Sequence, residues 1–397
     1  MRVAVCFGGP SVEHDVSIIS AAQLMSVLEA RHEVVPVYMA RDGRWWTGDA
    51  LRDIGSFGSD EPSGAEPCEL RLGSRSLSFF VPATSRLGRD RQLPVDAVIC
   101  AVHGTGGEDG SLLGALEVSG FPYVGGGVGP AAVAMDKWLG KLVFQAAGVE
   151  VAPHTLIHRE DFARDREAVV QGAAAAQGTP CYAKPASLGS SIGVARANDA
   201  HELDEALELC FELDRAALVE PALDDATEVN VAILGGPGSE LRVSAIEQPV
   251  RGDEAALSFE DKYLRGAGKG GQKGAGGAKG EAGGEGMAGQ DRIIPAPISE
   301  TAAERVTEAA KAAHRALGFF GVVRYDFFLY DGGEPRVVLN EANTVPGSFA
   351  FYLFEPVGVS FDELADTLLD IAMSEAAERR ATTRTFDSVL ISQHQSR

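Results

Sequence analysis

The order of apolar runs and glycines predicts an α/β chain that opens as a doubly wound sheet and continues into two further α/β units. Residues 3–7 form an unbroken apolar run that stops at Gly8-Gly9. Apolar residues at helical spacing follow from about Ser17, through Ile18, Ile19, Ala22 and Leu24, and residues 34–39 read as a second strand. Doubly wound sheets begin with this β-Gly-α-β order. Far downstream, residues 321–330 and 337–347 read as a hairpin turning at Asp331-Gly332-Gly333.

The remaining elements follow in order. Residues 55–95 are rich in Gly, Ser, Pro and charge and read as loop with weak strands. Residues 95–102 are a strand ending at His103-Gly-Thr-Gly-Gly-Glu-Asp-Gly110, a loop at the carboxyl edge where such sheets bind ligands. The first unit therefore spans 1–124. A second unit, 125–215, holds a helix around 135–147, a strand at 181–184 and a helix at 201–211. A third, 216–378, contains a helix at 302–317, with Thr301 and Glu304 as capping box and Gly318 as stop. Its last helix opens with Ser360 and Glu363 in the same pattern. Residues 266–289 are almost entirely Gly, Ala, Lys, Glu and Gln and read as a mobile loop; 379–397 read as a flexible tail.

Bulk properties narrow the function classes. A chain of 397 residues can build two or three cores. A net charge of −22 disfavours nucleic acid and anionic membrane as partners, because both require a positive field. The five cysteines are scattered without CxxC spacing, so neither a disulfide framework nor a zinc site is expected. No apolar run reaches the length of a membrane span, and the N-terminus lacks the pattern of a signal peptide, which points to the cytoplasm.

Charge inside the hairpin is its most telling property. Alternate strand residues share a face, so Arg324 pairs with Asp326 and Glu341 with Asn343. Folding at the Gly pair brings Asp326 within a diagonal step of Glu341. Two carboxylates and an amide oxygen suit Mg²⁺, which keeps waters and takes phosphates as its other ligands. Arg324 beside them would hold an anion.

Other segments gain meaning only in company. Lys184-Pro-Ala-Ser-Leu-Gly-Ser190-Ser191-Ile-Gly193 could cradle an anion, though alone it reads as a Gly-Ser loop. It is no P-loop. Lys137, opening a helix after Met135-Asp136, could reach a phosphate or simply be solvated. Glu220-Pro221-Ala-Leu223 and Glu228 lie on a strand–linker–strand that could meet an adenine and a ribose, or merely connect. Glu13, in Gly8-Gly9-Pro-Ser11-Val-Glu13, could bind an amine, while Ser11 or Asp15 could simply cap a helix. His103 and the pair Lys262-Tyr263 mean little alone.

Together these motifs resemble the D-alanine–D-alanine ligases of the ATP-grasp superfamily, in family order from Val3 to about Ala377. The resemblance implies an ATP-grasp fold behind the doubly wound N-terminal unit. It implies ATP and two Mg²⁺ ions, with Mn²⁺ able to substitute, D-alanine as substrate, a homodimer, and a place in peptidoglycan precursor synthesis. Lys137 and Lys184 would hold phosphates; Glu220, Pro221 and Leu223 the adenine; Glu228 the ribose; Asp326, Glu341 and Asn343 the metals. Glu13 would take the first ammonium and hydrogen-bond Ser190 and Tyr263. His103 would face the first carboxylate, Lys262 would contact the substrates from the lid, and Arg324 with the Gly347 N–H would form the oxyanion hole.

The chain departs from the family pattern at Leu113, where a Gln is common, in the segment after Tyr263, and at 348–356, which is unusually aromatic. The last lies where the second substrate's carboxylate is expected. The resemblance therefore leaves the acceptor open between D-alanine and another amine. A degenerate nucleotide-binding protein is a third reading, opposed by the intact metal and phosphate residues.

Overall fold

The computed structural model describes residues 1–73, 77–85, 87–250 and 292–383. Lys262, Tyr263, the 266–289 segment and most of the tail lie outside this range.

The first sheet contains β1 (Arg2–Gly8), β2 (Glu33–Met39), β3 (Trp45–Thr47), β4 (Glu66–Leu70), β5 (Ser78–Val81), β6 (Arg91–Pro94), β7 (Ala97–Cys100) and β8 (Tyr123–Val124). Its order is β6-β5-β4-β3-β2-β1-β7-β8. β2, β1, β7 and β8 are parallel, as the β-Gly-α-β reading requires, and β3 to β6 extend the edge antiparallel. The weak strands expected in 55–95 are β4, β5 and β6 of that extension, while β3 lies before them. Cys6, Cys68 and Cys100 are buried together on one face of it.

Helix α1 (His14–Leu28) starts upstream of the expected Ser17. Its first turn carries buried polar residues and so no apolar period. His14 Nδ1 lies 2.7 Å from the Gly9 carbonyl and Nε2 3.0 Å from the Tyr38 hydroxyl. α2 (Ser111–Val118), α3 (Val128–Met135) and α4 (Lys137–Ala146) follow. The single helix expected at 135–147 is two, because Asp136 turns extended and its carboxylate caps the N–H groups of Trp138 and Leu139 at 3.0 Å.

The central sheet holds β9 (Thr155–His158), β10 (Cys181–Pro185), β11 (Ala195–Ala197) and β12 (Ala216–Pro221) in the order β11-β10-β12-β9, all antiparallel. It runs past the expected boundary at 215. α5 (Arg159–Arg164), α6 (Arg166–Gln177) and α7 (Ala200–Leu213) belong to this unit, and its core includes buried Cys181 and Cys210.

The third sheet contains β13 (Thr227–Gly235) and β14 (Arg242–Val243). A two-stranded ribbon follows, β15 (Gln248–Pro249) with β16 (Arg292–Ile293), and then β17 (Gly321–Tyr330) and β18 (Arg336–Asn343) complete the order β14-β13-β17-β18. Helix α8 (Glu300–Leu317) packs Val306, Ala310 and Ala313 on this sheet and ends, as expected, at left-handed Gly318. Its cap is Ser299 rather than Thr301. The Ser299 oxygen accepts from the Ala302 N–H, while its own N–H and hydroxyl donate to Asp331 in the hairpin turn at 2.7 Å. α9 (Phe351–Phe354) and α10 (Phe361–Ala381) return to the first unit. Leu353, Leu364 and Leu368 share one core with Phe7, Ile18 and Leu24, so the first and last parts of the chain are packed as one body. Among the described residues no helix is long and apolar enough to cross a membrane.

Candidate active site

Every expected site residue within the described range lines one cleft between the three sheets. The sequence reading missed Lys141, Asn340, Glu108, Asn230, Glu247, Arg292 and Tyr352, all at or beside that cleft.

Lys184 lies on β10 and Glu220 on β12, offset in register. Their side chains meet, with Lys184 Nζ 2.6 Å from Glu220 Oε2. Lys141, on the buried side of α4, takes Oε1 at 2.7 Å. Burial alone would raise the Glu220 carboxyl; the two lysines hold it down to about 2. Its carboxylate is thus committed to the two lysines. Asn340 completes the cluster. In β18 the register shifts between Asp326 and Phe327, leaving Asn340 as the extra residue of a bulge. Its Oδ1 accepts from Lys184 at 3.1 Å and its carbonyl from Lys141 at 3.3 Å. Lys137 donates to the Leu188 carbonyl in the loop after β10.

The hairpin is closer in register than the alternation argument required. Asp326 faces Glu341 directly, and Arg324 faces Asn343. Arg324 grips Asp326 through Nε and Nη2, both at 2.7 Å, and Asn343 Nδ2 donates to Asp326 at 3.1 Å. Burial pushes the Asp326 carboxyl up to about 6, against the pull of Arg324, and Glu341 and Glu228 add to the rise. Among the described residues no three His, Cys, Asp or Glu side chains form a ready metal cage. The donor set instead fits an ion held by one or two carboxylates and a substrate phosphate, which is the habit of Mg²⁺. A buried carboxylate with two partly exposed ones beside it is what such an ion relieves.

Glu13 is clasped from two sides. A Cβ on Gly104 would fall 2.6 Å from its Oε2, and one on Gly189 2.8 Å. Ser190 donates to its Oε1. Ser190 and Ser191 both adopt left-handed backbone, at φ 51° and 58°. His103 Nε2 lies 3.1 Å from Ser20 Oγ, and burial with nearby Arg324 lowers its pKa to about 4, so the ring is neutral at pH 7.

After Gly347 the chain makes a left-handed turn, with Ser348, Phe349 and Ala350 each at φ 53°. It leads to Tyr352, whose hydroxyl lies 3.3 Å from Glu247 Oε1, beneath Arg292 at 4.0 Å from the ring. Arg292 pairs with Glu247 at 2.9 Å.

Two antiparallel sheets closing lysines over a carboxylate-bearing hairpin, behind a doubly wound unit, define an ATP-grasp carboxylate–amine ligase. Residues 2–126 match the family model for the D-ala D-ala ligase N-terminus, and 143–273 with 286–370 match that for its C-terminus. The D-alanine–D-alanine ligase of Chlorobium limicola is 34% identical over 398 residues, covering 95% of this chain and 99% of that one. That of Bacillus velezensis is 30% identical, covering 96% and 100%. Among solved structures, the Coxiella burnetii D-alanine-D-alanine ligase superposes with a TM-score of 0.76 at 25% identity, covering 96% of each chain. The VanG D-Ala:D-Ser ligase of Enterococcus faecalis gives 0.73 at 27%, covering 94% of this chain and 99% of that one. The chain belongs to the D-alanine–D-alanine ligase family. Membership implies ATP and D-alanine as substrates.

Proposed function

We propose that this chain joins two D-alanines into D-alanyl-D-alanine with cleavage of ATP, through an acyl phosphate, for peptidoglycan precursor synthesis in the cytoplasm. One observation carries the reading. The lysine–Glu220 cluster, the Asp326–Glu341 pair and the Glu13–Ser190 pair all border a single cleft.

A carboxylate is a poor electrophile at neutral pH, and phosphorylation gives it a leaving group. Lys137 and Lys184 hold the phosphates, the backbone of 220–223 the adenine, and Glu228 the ribose. Asp326, Glu341 and Asn343 would hold two Mg²⁺ ions, which supply charge neutralisation on the moving phosphoryl. Glu13 takes the first ammonium and neutral His103 faces the first carboxylate. The second amine then attacks the acyl carbon. The C–N bond forms, the bond to the phosphate oxygen breaks, and phosphate leaves with the electron pair and the amine's proton. Arg324 and the Gly347 N–H stabilise the oxyanion between those events.

Purified protein with ATP, Mg²⁺ and D-alanine should release ADP and D-alanyl-D-alanine together. No ADP with D-alanine, D-serine or D-lactate would end the reading. A second reading, a different acceptor amine, is favoured by the Glu247–Arg292–Tyr352 cluster at the divergent segment. A screen of acceptors with mass detection separates the two. A homodimer is proposed with the main reading, and light scattering on the full chain checks it.

A further inference from the structure

The segment that carries Gly347 lies beyond the last rung of β18 and turns left-handed for three residues that all bear a Cβ. Backbone of that kind persists only where its surroundings over-determine it. Here the first unit does so. The Val345 N–H donates to Glu108 Oε1 at 3.0 Å, and the Ser348 N–H donates to Ser20 Oγ at 3.2 Å. Between these anchors lie Pro346, which has no N–H, and Gly347. The tethers therefore flank the one N–H assigned to the oxyanion. Ser348 Oγ also donates to Gln23 Oε1 at 2.6 Å.

Both anchors are fixed in turn by the His103 loop. The second oxygen of Glu108 accepts from the Gly104 N–H at 2.8 Å, and Ser20 Oγ meets His103 Nε2 at 3.1 Å. Glu108 and Ser20 are 9% and 2% exposed, so these contacts are largely shielded from water. We infer that Glu108 and Ser20 are positioning residues that aim the Gly347 N–H at the acyl carbon's oxygen, and that they do so by seating its loop on the loop that faces the first substrate. This rests on the ligase reading above. It separates two steps: phosphorylation of the first carboxylate needs the lysines and carboxylates, while amide formation needs the tethered turn. With the turn loose, the acyl phosphate persists and water attacks it, breaking the same bond to phosphate and returning D-alanine.

The test counts ADP and dipeptide in the same reaction with full-length protein, ATP, Mg²⁺ and D-alanine. The unaltered protein should give one ADP per dipeptide. Glu108→Gln and Ser20→Ala should raise that ratio by about threefold or more, as a mis-aimed group slows the second step. Ser20→Thr, which keeps the hydroxyl, should return it towards one. If Glu108→Gln does not fold, the two Ser20 variants decide. A ratio fixed at one in the variants, however far both rates fall, overturns the inference alone. Absence of dipeptide from the unaltered protein overturns the ligase reading and the inference with it.

Discussion

Lys141 Nζ lies 2.7 Å from one oxygen of Glu220, and Lys184 Nζ 2.6 Å from the other. Lys141 and Glu220 are each 2% exposed, so neither can turn to water. With Lys141 neutral, Lys184 alone would face the carboxylate and be drawn away from a phosphate. Lys141→Met should therefore raise the KM for ATP about tenfold and cost about 3 kcal/mol of stability, the scale of a broken buried pair. Steady-state kinetics and thermal melts check both, and adding Glu220→Gln should recover part of the stability.

His103 carries a signed pH dependence. Its folded pKa, about 4, lies below the ordinary value, so the unfolded chain takes up the proton first as pH falls. Its contribution is intact above about 6.5 and lost as pH drops through 4, a change of about 3 kcal/mol at most. His103→Gln should flatten this limb of a stability–pH curve. A curve that keeps its slope between pH 6.5 and 4 would contradict the assignment.

Glu341→Gln keeps the volume and the register opposite Asp326 but removes a charge. Turnover should fall about a hundredfold or more, while far-ultraviolet circular dichroism stays unchanged. ATP bound without turnover in the unaltered protein would instead favour the degenerate reading.

Gly104→Ala would place a methyl against Glu13 at a left-handed position, φ 69°. The KM for the first D-alanine should rise at least about tenfold, with the KM for ATP changed much less. Equal rises in both would mean general damage.

Tyr352→Ser removes the ring over which Arg292 lies at the cleft wall while leaving the Arg292–Glu247 pair. The range of acceptor amines should widen, which competition among D-alanine, D-serine and larger D-amino acids, read by mass, would detect.

Period-2 reasoning placed Arg324, Asp326, Glu341 and Asn343 on one face because a strand's alternation is a local property. It missed the direct opposition of Asp326 and Glu341, since the bulge at Asn340 is set by pairing between strands. Lys141 was illegible because a lysine four residues past Lys137 looks like helix surface. Only the packing of α4 against β18 shows it buried. Glu108 lies inside the 103–110 loop, yet its partner Val345 is 237 residues away, a distance no spacing rule covers. The α1 start was missed because its first turn buries polar groups against Tyr38 and the cleft.

The five thiols lie in two separate cores, three beneath the first sheet and two in the central one, and all are buried. A thiol reagent therefore reaches each set only when its own unit opens. Without any engineered label, the chain carries two independent chemical clocks, and comparing their rates with and without nucleotide would reveal which unit breathes as the cleft fills.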